Sequence, residues 1–194
     1  MTQALPDRWL RVVQVVVLLA AFGCAVGLRV VVGGAGVTQS YPAGLVFAGC
    51  LLPLAAAART RVAVSGRALA VGLGGAVLVC APVALGQLLT LRPLHDTRGL
   101  AAWLAVVTVV ATAEEVFLRG TLYDATARLA GEPVAIALGA VCFALLHVPL
   151  YGWHVLPLDL AVGVVLGGLR QATGTAAAPA ITHVLADVAG WFLR

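Results

Sequence analysis

Apolar runs of bilayer-crossing length divide this chain, and nothing else in it restricts the fold as much. They fall at about residues 10–32, 42–58, 68–90, 100–130, 134–150, 156–171 and 175–193, near the roughly 20 residues a helix needs to cross a hydrocarbon core. The breaks carry ordinary punctuation: Gly33, Gly34 and Gly36, the stretch Arg59 to Arg67, Arg92-Pro93, Gly131-Glu132-Pro133, Tyr151 to Pro157, and Gly174. A soluble core of this size would be broken by polar faces, yet 62% of the 194 residues are hydrophobic and 10% charged, against roughly half and a quarter in soluble domains. The surplus reads as lipid-facing surface. The expectation is an all-α, polytopic transmembrane helical bundle of about seven transmembrane helices, forming a single integral membrane domain over residues 1–194. No segment repeats or is of low complexity.

The net charge of +4 comes from twelve cationic residues, all Arg. They are scattered singly between apolar runs, which suits positive-inside topology and not a nucleic-acid partner. A cytoplasmic N-terminus puts Arg8, Arg11, Arg59, Arg61, Arg67, Arg128 and Arg170 inside, against Arg92, Arg98 and Arg194 outside. This predicts a multi-pass protein of the plasma membrane, N-terminus in, with the lipid bilayer as its first partner. Arg without Lys beside abundant Ala, Val and Gly fits a high-GC, bacterial genome. The run after Arg8 and Arg11 exceeds a signal-peptide core and lacks a cleavage site, so it reads as a retained first helix. Trp9, Tyr41, Trp103, Tyr151, Trp153 and Trp191 fall near predicted helix ends, where headgroups favour aromatic rings. Cys24, Cys50, Cys80 and Cys142 stand singly and read as small buried hydrophobes. Gly23-x-x-x-Gly27 and Gly163-x-x-x-Gly167 predict close helix approaches.

The fourth run is too long: its 31 residues make a helix of about 46 Å, beyond a core of about 30 Å. Its polar second half, with Arg119, Thr121, Tyr123, Asp124, Thr126 and Arg128, reads as an interfacial amphipathic extension in which Asp124 pairs with Arg128. Its first half carries Glu114 and Glu115, and a charge near mid-membrane costs about 2.5–3.5 kcal/mol on insertion scales. Glu115 and Arg119 are spaced for a helical ion pair. Glu114 points about 100° away and has no partner in sequence.

Histidine adds to this set. His147 lies 16 residues after Gly131 and Glu114 lies 17 before it, so in a hairpin turning there both stand about 25 Å from the turn and can share a cavity. His183 and Asp187, four apart, share one face of the last helix; a matching depth requires the break at Gly174 to lie deeper than that at Gly131. Two carboxylates and two imidazoles in a protected cavity can activate water and stabilise an oxyanion, as peptide hydrolysis requires. Glu114, His147 and His183 can also make a three-ligand zinc site. No Gly-x-Ser-x-Gly or His-Glu-x-x-His occurs, and Ser40 and Ser65 fall in loops. His95 and His154 read as solvated, and Asp159 as a carboxylate placed for the dipole of the sixth helix.

Glu114-Glu115-x-x-x-Arg119, Phe143-x-x-x-His147 and His183-x-x-x-Asp187 resemble, in order, the signature motifs of the CAAX protease and bacteriocin-processing enzyme family. These are polytopic intramembrane endopeptidases, including type II CAAX prenyl proteases, and the resemblance places the catalytic motifs in residues 100–194. It implies Glu114 as general base with His147 on the attacking water, and His183 with Asp187 at the oxyanion. Glu115, Arg119 and Phe143 become supporting residues. It further implies glutamate-dependent hydrolysis of a membrane-associated peptide or protein, prenylated or bacteriocin-like, with no catalytic metal. The prenyl-protease branch usually has Asn where this chain has Asp187, and a carboxylate donates to an oxyanion only when protonated.

Two other classes compete. A transporter or proton relay also places Glu, His and Asp inside a bundle, but the inverted repeat of many transporters is missing. A catalytically silent scaffold would hold these residues only as polar glue.

Overall fold

A computed structural model describes residues 4–34, 36, 40–90 and 98–192. Helix α1 spans Ala4–Gly33, α2 Tyr41–Ala57 and α3 Gly66–Thr90. Helix α4, Leu100–Glu115, runs through a π-helical segment, Val116–Leu122, into α5, Tyr123–Ala130. Then come α6, Glu132–Tyr151, a 3-10 turn at Trp153–Val155, α7, Leu156–Thr173, and α8, Ala177–Phe192. No strand occurs among the described residues. Every predicted apolar run is helix to within a few residues of its expected ends. Five stretches are long and apolar enough to cross a bilayer: Arg8–Gly33, Gly66–Gly86, Leu100–Ala130, Glu132–Tyr151 and Trp153–Thr173. The chain is a multi-pass helical membrane protein; α2 and α8, at 17 and 16 residues, lie at the short limit of about 17 residues for a crossing.

Packing follows residue size and spacing. On α1, Val15, Leu18, Phe22 and Ala25 are buried at alternating steps of three and four, while Val13, Val16 and Val17 are exposed, so one stripe faces protein and the rest lipid. Phe22 stacks on Phe117 at 5.7 Å between centroids and meets Phe47 edge-on at 6.2 Å, tying α1 to α2 and the π segment. Of the two expected glycine contacts, one is made. A Cβ at Gly163 would stand 2.7 Å from the Ala140 Cα, and one at Gly167 2.9 Å from Ile136 Cγ2, so α7 lies directly against α6. Gly23 and Gly27 meet nothing within 4 Å, because they point away from the Phe22 stripe.

The arginine-rich helix ends gather at one end of the bundle. Arg11 Nη1 donates to the Arg128 carbonyl at 3.0 Å, Arg67 Nη2 to that of Ala172 at 2.8 Å, and Thr60 shares a 2.7 Å hydrogen bond with Thr121. Asp124 does not pair with Arg128: Arg170 Nη2 reaches it at 2.7 Å while Arg170 Nε donates to the Arg119 carbonyl. The fork of a neighbouring helix thus satisfies two acceptors that Arg128 cannot serve together. Nor is the whole stretch an interfacial extension, since Arg119, Thr121, Tyr123 and Thr126 are buried between helices; Arg128, at its end, is exposed and Asp124 half-buried.

Smaller expectations divide similarly. Ser40 and Ser65 sit between helices and accept from the backbone N–H of Ala43 and Ala68. Of the cysteines only Cys142 is fully buried, and Cys24 is exposed. Arg92-Pro93, His95 and Arg194 lie outside the described residues.

Candidate active site

Glu114 and Glu115 close helix α4, and the π segment begins at the next residue. A π turn bonds i to i+5 and often marks a functional position. All seven of its residues are buried, so it works inside the bundle. The two glutamates consequently stand side by side with almost no exposure, yet they meet different partners.

Glu114 Oε1 is 3.1 Å from Nη1 of Arg29, in α1. The carboxylate expected to stand unpaired therefore has a cation, supplied from 85 residues earlier in the chain. The sequence carried a signal for it: Arg29 is the next step in the series Val15, Leu18, Phe22 and Ala25 that α1 turns inward.

Glu115 pairs with Arg119 as its spacing predicted, Arg119 Nη1 lying 2.8 Å from Oε1. The same oxygen is 2.9 Å from His183 Nδ1. An ionised carboxylate only accepts, so in this contact Nδ1 carries the proton. On the other side of the ring, His183 Nε2 stands 3.7 Å from Asp187 Oδ2, too far for a direct hydrogen bond and close enough for attraction. Glu115 Oε2 is buried with no partner among the described residues. Arg119 Nη2 also reaches the Gly163 carbonyl at 3.4 Å, at the point where α7 closes on α6.

His147 Nδ1 is 3.0 Å from the Phe143 carbonyl and 3.5 Å from Asp159 Oδ2. Asp159 thus faces an imidazole as well as a helix terminus, a pairing that separate sequence segments did not reveal. Phe143 holds the group together: its ring meets His147 edge-on at 4.7 Å and His183 edge-on at 5.3 Å, and the Arg119 guanidinium lies over its face at 4.9 Å. An aromatic ring attracts cations at its face and presents a positive edge, so one side chain limits the rotation of three.

A cavity of about 290 Å³ opens among these helices. Arg29, Glu114, His147, His183 and Asp187 all line it, joined by Tyr151, Trp103 and Trp191. Glu114 and His147, expected to stand level, do share it. Glu115, Arg119 and Phe143 stand behind the wall. Trp191, near the end of α8 as expected, is buried, its ring 4.7 Å from that of Trp103. His154 is exposed, as expected. Among the described residues no three His, Cys, Asp or Glu side chains are grouped to hold a metal ion; Glu114 is turned to Arg29 and His183 to Glu115. The cavity presents two carboxylates, Glu114 and Asp187, and two imidazoles, His147 and His183, the latter also held by Glu115 from behind the wall.

A protein-family model described as type II CAAX prenyl endopeptidase Rce1-like matches residues 96–189. No curated protein and no solved structure matches the chain. The matched region holds every residue of the three motifs and excludes α1, α2 and α3.

Proposed function

We propose, for a chain whose residues 96–189 belong to the Rce1-like family of type II CAAX prenyl endopeptidases, that it is an intramembrane endopeptidase acting by glutamate-activated water. The observation that carries this reading is that Glu114, His147, His183 and Asp187, from three helices, line one cavity. A water between Glu114 and His147 gives its proton to the glutamate as its oxygen bonds to the scissile carbonyl carbon. That proton passes to the leaving amine when the C–N bond breaks. The carbonyl oxygen becomes an oxyanion, which His183 in its imidazolium form meets through Nε2–H, its Nδ1–H being held by Glu115. Asp187, a carboxylate beside Nε2, orients His183 and leaves the donating to it. The supporting residues act from behind: Arg119 fixes Glu115, and Phe143 fixes both rings.

The substrate is a membrane-associated peptide segment, seated in the cavity against Val107 and Val110 beside the touching rings of Trp103 and Trp191. The protein sits in the plasma membrane as a single domain, its arginine-rich end in the cytoplasm, where basic residues are retained.

The test is cleavage of a fluorogenic membrane-associated peptide by the purified protein in detergent. Glu114→Gln keeps the side chain's shape and removes the base; it should abolish turnover while the chain still folds, as a retained cooperative unfolding transition would show. Undiminished cleavage by that variant overturns the assignment.

A further inference from the structure

We infer that Arg29 is a positioning residue of the active site: supplied by α1, it holds the Glu114 carboxylate at the cavity wall. This rests on the endopeptidase reading and adds to it a residue outside the family match, which begins at residue 96.

Three observations meet at this side chain. An arginine within a membrane-crossing helix is costly and needs a partner to be retained, and Arg29 lies within the apolar stretch Arg8–Gly33. Its partner is Glu114, 3.1 Å from Nη1. The remainder of the guanidinium is seated as well, lying over the Phe47 ring at 5.0 Å. Phe47 is fully buried and packs on Phe22, which stacks on Phe117 of the π segment. The aromatic stack therefore sets the distance between the cation and the segment that begins two residues after Glu114.

Glu114 has no other means of fixation among the described residues. Glu115 is held by Arg119 and His183, and His147 by the Phe143 carbonyl, whereas the one ion pair of Glu114 is with Arg29. Without it the side chain can turn about its own torsions into the cavity. A base must stand within hydrogen-bond reach of the water it deprotonates, and a misplacement of about 1 Å can cost about 100-fold. Arg29 also lines a smaller recess beside the cavity, shared with Trp103, Val107 and Val110, so it stands at a partition where a misdirected carboxylate has room to go.

The experiment has an arm that needs no substrate. Thermal unfolding of the purified full chain as Arg29→Gln, Glu114→Gln and the double variant forms a cycle. Non-additive shifts, with the double variant more stable than the two singles predict, are expected for a pair, and additive shifts overturn the inference. The second arm is turnover. Arg29→Gln should lower kcat about 100-fold with KM little changed, and Arg29→Lys, which returns the charge without the fork, should restore part of it. Unchanged kcat in Arg29→Gln overturns the inference while cleavage by the parent protein upholds the protease reading. A rise in KM with kcat preserved also overturns it, since that marks a substrate contact. If the parent protein cleaves nothing, the protease reading fails and the positioning role fails with it, a result distinct from the others.

Discussion

Arg119 is the most deeply buried cation described in the chain, at 1% exposure, and its partner Glu115 is at 0%. Removing one member of such a pair leaves a charge without compensation, which costs about 3–5 kcal/mol, whereas replacing both by apolar residues is often neutral. Arg119→Met should therefore destabilise strongly in a denaturant titration in detergent, and Glu115→Leu with Arg119→Met should recover most of that loss. The double variant should nevertheless stay inactive, because Glu115 Oε1 also holds His183 Nδ1. A double variant that cleaves as the parent does would remove Glu115 from the account of the oxyanion. The i,i+4 pair was legible in the sequence because both partners lie on one helix. Arg29–Glu114, Asp124–Arg170 and His147–Asp159 each join different elements, and spacing along the chain holds no information about which faces meet.

Among elements, the helices were legible and the π segment was not. Hydrophobic runs report where lipid or core surrounds the backbone, so their ends were found to within a few residues. A π turn differs from an α turn by one residue's shift in hydrogen bonding, and apolar content carries no trace of that. Its polar residues were placed on the surface for the same reason: composition registers polarity but not direction. Glycine shows a related ambiguity, since both Gly-x-x-x-Gly patterns look alike and only one lies in a contact. Gly163→Val should lower thermal stability by about 1–3 kcal/mol through overpacking against Ala140 and reduce turnover, because the Gly163 carbonyl accepts from Arg119. Gly27→Val, in open space, should leave both nearly unchanged. Equal effects of the two on unfolding temperature would contradict the packing of α7 against α6.

At the scale of the whole molecule, orientation decides from which side a substrate arrives. Arg11, Arg67 and Arg170 tie the two ends of the described helices that carry Arg128, Ala172 and Asp124 into one basic surface. The cavity lies toward the opposite surface, where Trp103 near the start of α4 and Trp191 near the end of α8 form its rim. From Leu100 to Glu114 is about 21 Å along the helix, so a peptide reaching Glu114 must descend well into the bilayer. If basic residues are retained in the cytoplasm, the rim faces away from it, and substrates present their cleavage site from the outer side. In a background with all four cysteines replaced, Arg61→Cys and His154→Cys place single thiols at exposed positions on opposite ends of the bundle. A membrane-impermeant maleimide applied to intact cells should label position 154 and spare position 61, while permeabilised cells should label both. The reverse pattern would place the N-terminus outside and turn the cavity rim toward the cytoplasm, leaving the chemistry of Glu114 intact but changing which proteins can reach it.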